Sequence, residues 1–117
     1  MDTVAAAAFK VLSVLEWETA CRSGLFSGSS DDVRDGYIHL STRETLHDTL
    51  RKYFAGQRNL CLIEFDTEDF GDALRWEAAR GGVLFPHVYA PIATSIARRV
   101  WRLQCDEIVG LTLPNDL

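Results

Sequence analysis

Two histidines in strand-like segments carry most of the chemical potential of this chain. In Gly36-Tyr-Ile-His-Leu-Ser-Thr42, an extended backbone puts Ile38 and Leu40 on one face and Tyr37, His39 and Ser41 on the other. Phe85-Pro-His-Val-Tyr89 repeats the arrangement, with Phe85, His87 and Tyr89 opposite Pro86 and Val88. Imidazoles can act as acid, base or hydrogen-bond donor near neutral pH. Two of them on strands whose aromatic and hydroxyl neighbours point the same way could converge on a small-molecule cleft.

Other candidates are weighed against plainer roles. His39 precedes a strand-to-helix junction, where free N–H groups and the helix dipole would favour an anionic group. Ser41-Thr-Arg-Glu44 has capping-box spacing, so Ser41 reads as a helix cap and Thr42 as a further hydroxyl. Glu77, beside Trp76 and near Arg75 and Arg80, reads as a surface ion pair, or as a general base or ribose-hydroxyl acceptor if it faces the cleft. Trp76 alone reads as core. His47 falls on a charged, solvated helix face and is set aside. No two ligand-type residues stand at a metal-binding spacing such as H-E-x-x-H, so no metal site is assigned. Phosphate-binding glycine motifs and a nucleophile elbow are absent.

The elements that must hold these residues follow from local signals. Phe9–Leu12 reads as a strand, and Ser13-Val-Leu-Glu16 is a capping box opening a helix over 14–23 that Gly24 ends. Residues 28–35, rich in Gly, Ser and Asp, read as loop. A strand over 37–40, a helix from the Ser41 cap to Gly56 and a strand over 60–65 follow. Residues 66–72 form an acidic loop and 73–77 a strand, with Arg80-Gly-Gly82 as a turn. Pro86 and Pro91 make 83–92 an edge or irregular strand. Further strands are expected over 95–103 and 108–113. The fold class is α+β, with a small split sheet, mainly antiparallel or mixed, and two main helices.

Composition narrows the possible partners. At 117 residues, 47% hydrophobic and 25% charged, the chain suits one domain over 9–117, preceded by a flexible lead-in over 1–8. A net charge of −5 with scattered cations disfavours duplex nucleic acid and anionic membranes. Three dispersed cysteines suggest neither a disulfide framework nor a zinc ribbon. They read as small core residues in a protein of the reducing cytoplasm. The N-terminus lacks the pattern of a secretory signal, and no apolar run approaches the ~20 residues of a membrane span.

Trp17, the Gly36–Thr42 block, Trp76-Glu77 and Phe85–Tyr89, in that order, resemble the bacterial family known as domain of unknown function 952, over roughly residues 9–103. The resemblance implies an ADP-ribosyltransferase-like fold clamping NAD in a central cleft. His39 would then stand where many such transferases stack a tyrosine on nicotinamide, and His87 near the motif strand that carries a catalytic glutamate. It implies catalytic roles for His39, His87 and Glu77. Lys10 or Arg75 would hold phosphate, while Tyr37, Ser41, Thr42, Trp76 and Tyr89 would line a nucleotide or ribose phosphate. Two positions depart from the pattern. Lys10 replaces the histidine of a usual Tyr-His-Ile-Thr, and Ala90 replaces a glycine. A charged lysine cannot accept a hydrogen bond from ribose, which favours a non-catalytic sensing or interaction module as the alternative. A small metal-dependent hydrolase is a second alternative.

Overall fold

The computed structural model describes residues 6–79, 81–106, 110–111, 114 and 117, with the backbone alone at 105, 106, 110 and 111. Its elements are β1 (Ala7–Ser13), α1 (Val14–Ser23), β2 (Leu25–Phe26), α2 (Ser30–Asp35), β3 (Ile38–His39), α3 (Leu46–Tyr53), β4 (Leu60–Asp66), β5 (Leu74–Ala78), β6 (Leu84–Val88), β7 (Ile92–Ala93), β8 (Arg99–Leu103), β9 (Cys105–Asp106) and β10 (Gly110–Leu111). Two three-stranded antiparallel sheets, β1-β4-β8 and β3-β6-β5, form the frame, with β2-β7 and β9-β10 as small ribbons. The protein is therefore α+β with several antiparallel sheets.

The alternation of β1 and β4 explains how the frame is held. Ala8, Leu12, Cys61, Ile63 and Phe65 point to one side, where they meet Ala20 of α1 and Ile38, Leu40 and Val88 of the second sheet. Phe9, Val11, Leu60 and Leu62 point to the other and are covered by Leu46 and Leu50 of α3. Each of the Val, Leu, Ile and Phe side chains among these, taken fully out of water, contributes about 1.5–3 kcal/mol. The central sheet is thus greasy on both faces, and a charge placed there needs a partner. Lys10, between Ala8 and Leu12 on the inward side, is that charge.

At several places the structure departs from the sequence expectations. Ala7 and Ala8 already belong to β1, paired with Asp66 and Phe65, so the lead-in does not extend to residue 8; residues 1–5 lie outside the described residues. Residues 30–35 form a short helix rather than loop. Thr67–Ala73, expected as an acidic loop, is a 3-10 segment kinked at Gly71. The α3 helix begins at Leu46, not at a Ser41 cap. Cys21 is exposed, whereas Cys61 is buried as expected. Arg80 of the predicted turn and most of the 108–113 strand lie outside the described residues.

Proline does not confine β6 to an edge, because β6 is the middle strand of its sheet. The Pro86 carbonyl accepts the Leu40 N–H at 3.0 Å. Since the N–H and C=O of one strand residue point to the same side, the missing Pro86 donor faces the place where the two-residue β3 has just ended. Toward β5, the bonding positions of β6 are the odd ones, as the Tyr89 N–H to Ala73 carbonyl bond shows. The ladder loses nothing there.

Candidate functional site

The cross-strand register β3–β6 sets His39 directly opposite His87. Opposed residues of an antiparallel pair share a face, and the two ring centroids lie 5.4 Å apart, edge to face. On the other side of β6, Arg75 opposes His87 and Glu77 opposes Phe85. His39, His87, Arg75 and Glu77 consequently share one face of the β3-β6-β5 sheet. The two histidine strands are hydrogen-bonded neighbours, so no cleft runs between them. A ligand would lie on their common face.

Each imidazole is fixed by a carboxylate. Asp32 Oδ1 is 2.6 Å from His39 Nδ1, and Asp35 Oδ2 is 2.9 Å from Nε2. A carboxylate thus stands at each nitrogen of the ring and fixes its orientation. Hydrogen bonds from Arg34 are the main reason that the Asp35 carboxyl lies below its ordinary value. His87 Nδ1 is 2.7 Å from Glu77 Oε1, which also accepts the Tyr89 hydroxyl at 2.6 Å. The Tyr89 hydrogen bond first, and His87 second, hold the Glu77 carboxyl below its usual range. The same bond to Glu77 pushes the Tyr89 phenol up. His87 Nε2 has no protein partner among the described residues. No buried side-chain N or O there lacks a partner, so that nitrogen reaches solvent.

Aromatic rings complete the cluster. Tyr37 stacks on His87 at 4.1 Å and lies 4.7 Å from His39 and 5.2 Å from Tyr89. The Arg75 guanidinium sits 4.9 Å above the Tyr89 ring, a cation–π distance.

Lys10 stands behind this face instead of opening into it. Its ammonium contacts both Asp32 oxygens, at 2.8 and 3.1 Å, and donates to the His39 carbonyl at 2.9 Å. Asp32, only 2% exposed, also accepts the His39 N–H at 3.0 Å and the Ser29 N–H at 2.9 Å. Burial alone would raise its carboxyl, but the His39 and Lys10 contacts outweigh burial and hold it far below the ordinary range. Burial lowers the Lys10 ammonium, opposed by Asp32. The Leu40 N–H points to β6, so the backbone groups of its neighbour His39 point to the free edge of β3. There the Lys10–Asp32 pair supplies the acceptor and the donor that a further strand would have offered.

The remaining predicted ligand contacts lie elsewhere. Trp76 opposes Pro86 on the opposite face of the sheet. The Ser41 hydroxyl is buried against Thr49 Oγ1 at 2.8 Å, and its backbone bridges Phe9. Thr42 closes a turn with Thr45. With α3 starting at Leu46, no helix N-terminus adjoins His39. Asp32 and Asp35 were missed from sequence, though Ser29-Ser-Asp-Asp32 has the spacing of a helix start whose N3 carboxylate reaches back. Among the described residues, no group of three or more His, Cys, Asp or Glu could hold a metal ion, and no helix is long and apolar enough to cross a membrane. A depression of about 480 Å³ lined by Glu64, Asp66, Arg98 and Arg99 contains none of the four rings, and its charges pair with each other.

Residues 11–100, which include every group of this cluster except Lys10, match the family described as protein of unknown function, DUF952. The chain belongs to the DUF952 family. The crystal structure of protein CC0527 from Caulobacter crescentus is 42% identical, with a TM-score of 0.87 over 92% of this chain and 94% of that one. The solution NMR structure of CC0527 is 41% identical, with a TM-score of 0.83 and coverage of 95% and 96%. No curated protein matches this DUF952 chain.

Proposed function

We propose that the face carrying His39, His87 and Glu77 binds NAD or a related nucleotide or ribose phosphate, in an ADP-ribosyltransferase-like manner within the cytoplasm. The observation that carries this reading is the Tyr89–Glu77–His87 hydrogen-bonded chain, stacked under Tyr37 and ending in an open His87 Nε2. A carboxylate held ionised by two neighbours can take a ribose hydroxyl and favour positive charge developing at the anomeric carbon. His87 Nε2 stands ready as acid, base or hydroxyl binder. Arg75 supplies the cation for phosphate, and Tyr37 offers a ring for an aromatic base. In transfer, the bond from the ribose anomeric carbon to nicotinamide breaks with its electron pair leaving on nicotinamide, and an acceptor nucleophile adds to the same carbon.

A second reading is favoured by a specific observation: Lys10 and His39 are both committed to Asp32. That leaves His87 and Glu77 as the groups free to meet a ligand, which suits a nucleotide-sensing module without turnover. Thermal denaturation with NAD, ADP-ribose and AMP, together with an assay for nicotinamide release, separates the two. A ligand at 100 times its Kd stabilises by about 2.7 kcal/mol, readily seen as a rise in Tm. A rise that His87→Ala and Glu77→Gln abolish, accompanied by nicotinamide release, is the expected result. The same rise without release selects the sensing module. No rise with any of the three at millimolar concentration overturns nucleotide binding.

A further inference from the structure

The two edges of the β3-β6-β5 sheet are treated differently. The β3 edge at His39 is closed by Lys10 and Asp32, whereas β5 ends the sheet on the other side. The bonds of Ala73 and Ala79 to β6 place Ala73, Arg75, Glu77 and Ala79 on the inward register. Leu74, Trp76 and Ala78 then direct their backbone groups outward. The Leu74 N–H is taken by the Gly71 carbonyl. Among the described residues, the Trp76 and Ala78 N–H groups and the Leu74, Trp76 and Ala78 carbonyls have no partner. Such a row is a template for another strand unless something blocks it; among the described residues no strand pairs with the outer side of β5, which contains no proline and meets β6 without a bulge.

We propose that the β5 edge pairs antiparallel with the β5 edge of a second copy of this chain, about a two-fold axis at Trp76. The sequence Leu74-Arg-Trp-Glu-Ala78 is what selects the partner and the register. With the axis at Trp76, Arg75 of each copy stands directly opposite Glu77 of the other. An axis at Arg75 or at Glu77 would instead oppose like charges, which is destabilising. The backbone parity agrees: the outward groups of Trp76 make a hydrogen-bonded pair at the axis, and the Ala78 N–H meets the Leu74 carbonyl of the second copy. Arg75 and Glu77 then form a non-hydrogen-bonded pair, the kind whose side chains approach most closely. Among the described residues Arg75 forms no direct ion pair within its own chain and acts on Glu77 only through space, while the Glu77 bonds to His87 and Tyr89 both use Oε1. On the opposite face, Trp76 and Leu84, 44% and 52% exposed, gain apolar cover from the same pairing.

The result is a continuous sheet in the order β3-β6-β5-β5-β6-β3. A two-fold perpendicular to the sheet keeps both histidine faces on the same side, and each copy brings its Arg75 to the other's Glu77. The backbone pairing at Trp76 stands whatever the histidine face binds, although Arg75 and Glu77 belong to that face.

Sedimentation velocity of the full chain over micromolar to millimolar concentration tests it. A reversible monomer–dimer equilibrium is expected. Trp76→Pro removes an outward donor without touching the β6 ladder and should return the protein to monomer, with folding checked by circular dichroism. Arg75→Glu should weaken dimerisation at least about tenfold, and adding Glu77→Arg should restore it. As a test that does not rely on destabilising the fold, Trp76→Cys in a Cys21→Ser background should form a disulfide dimer on mild oxidation. Hydrogen-bonded antiparallel partners lie about 5.5 Å apart at Cα, within the range a disulfide spans. A monomer at every concentration, with the edge left to some other extended segment, overturns the proposal. So does a dimer that survives Trp76→Pro, or failure of the Trp76→Cys protein to cross-link.

Discussion

Lys10 Nζ lies 2.8 Å from Asp32 Oδ2, and between them these two side chains take up both the N–H and the carbonyl of His39. An ion pair therefore does the work of a neighbouring strand along a sheet edge. It also presents the Asp32 carboxylate to the imidazole of the same residue. The replacement of an expected histidine by Lys10 does not leave a hole in a ligand cleft; it supplies a support beneath the histidine that is present.

Breaking that support from one side should be costly. Lys10→Met leaves Asp32 buried without the ammonium that pairs with it, and the expected loss is about 3–5 kcal/mol. Urea denaturation measures it. The double variant with Asp32→Asn should lose less than the sum of the two single variants, and strict additivity would show that the pair is not coupled.

Acid should weaken the protein through the same carboxylate. The folded-state value of Asp32 is depressed, so its contribution is fully present above the unfolded carboxylate value of about 4. It is lost as pH falls from there toward the lower folded value, because the unfolded chain then binds the proton first. Asp32→Asn should flatten that part of the stability–pH curve. An unchanged slope between about pH 4 and 2 would contradict the assignment.

At the other histidine the hydrogen bonds can be read from both ends. Tyr89→Phe removes the largest influence holding Glu77 down, so the Glu77 carboxyl should titrate closer to its ordinary value by carbon-detected NMR. Glu77→Gln should bring the Tyr89 phenol down from its raised position, as followed by ultraviolet absorbance. Glu77 is 37% exposed, so solvent screens these bonds and either change should have little effect on stability.

Gly28 and Ser41 serve the frame, and each gives a simple test. Gly28 has φ +118°, and a Cβ there would lie 2.9 Å from Asp32 Cβ. Gly28→Ala should destabilise by about 1–3 kcal/mol in chemical denaturation. Ser41→Ala leaves the Thr49 hydroxyl without its 2.8 Å partner and should cost about 1 kcal/mol. On the proposed reading, any rise in Tm given by NAD, ADP-ribose or AMP should be unchanged in Ser41→Ala, because its hydroxyl is bonded to Thr49 of α3.

What the sequence discloses depends on the range of the interaction. The Ser13–Glu16 capping box and the Gly24 terminator are local, and both operate as written. Strand alternation groups Tyr37 with His39 and, separately, His87 with Tyr89; that the two sets share a face with Glu77 follows only from the β3-β6-β5 register. By contrast, α2 has no apolar periodicity, since its one buried residue is the acid Asp32, so loop composition concealed it. The spacing of Ser41 to Glu44 resembled a cap, but Ser41 is drawn into a bridge with Phe9 and a bond to Thr49 that no local pattern announces. Pro86 in a middle strand breaks the rule that a central strand needs every donor, and the shortness of β3 removes that need.

Asp32 also bears on how the site comes into being. The same carboxylate caps the α2 backbone at Ser29 and aligns His39, while its bond to Lys10 spans 22 residues and the Lys10–His39 bond spans 29. Such long chain closures are slow to form, because their entropy must be lost before the contact is gained. The orientation of the His39 ring therefore requires contact between distant segments of the chain, whereas α1 and its cap are local. Opening of the six-residue α2 would withdraw both carboxylates from the imidazole at once, since Asp32 and Asp35 lie on that helix.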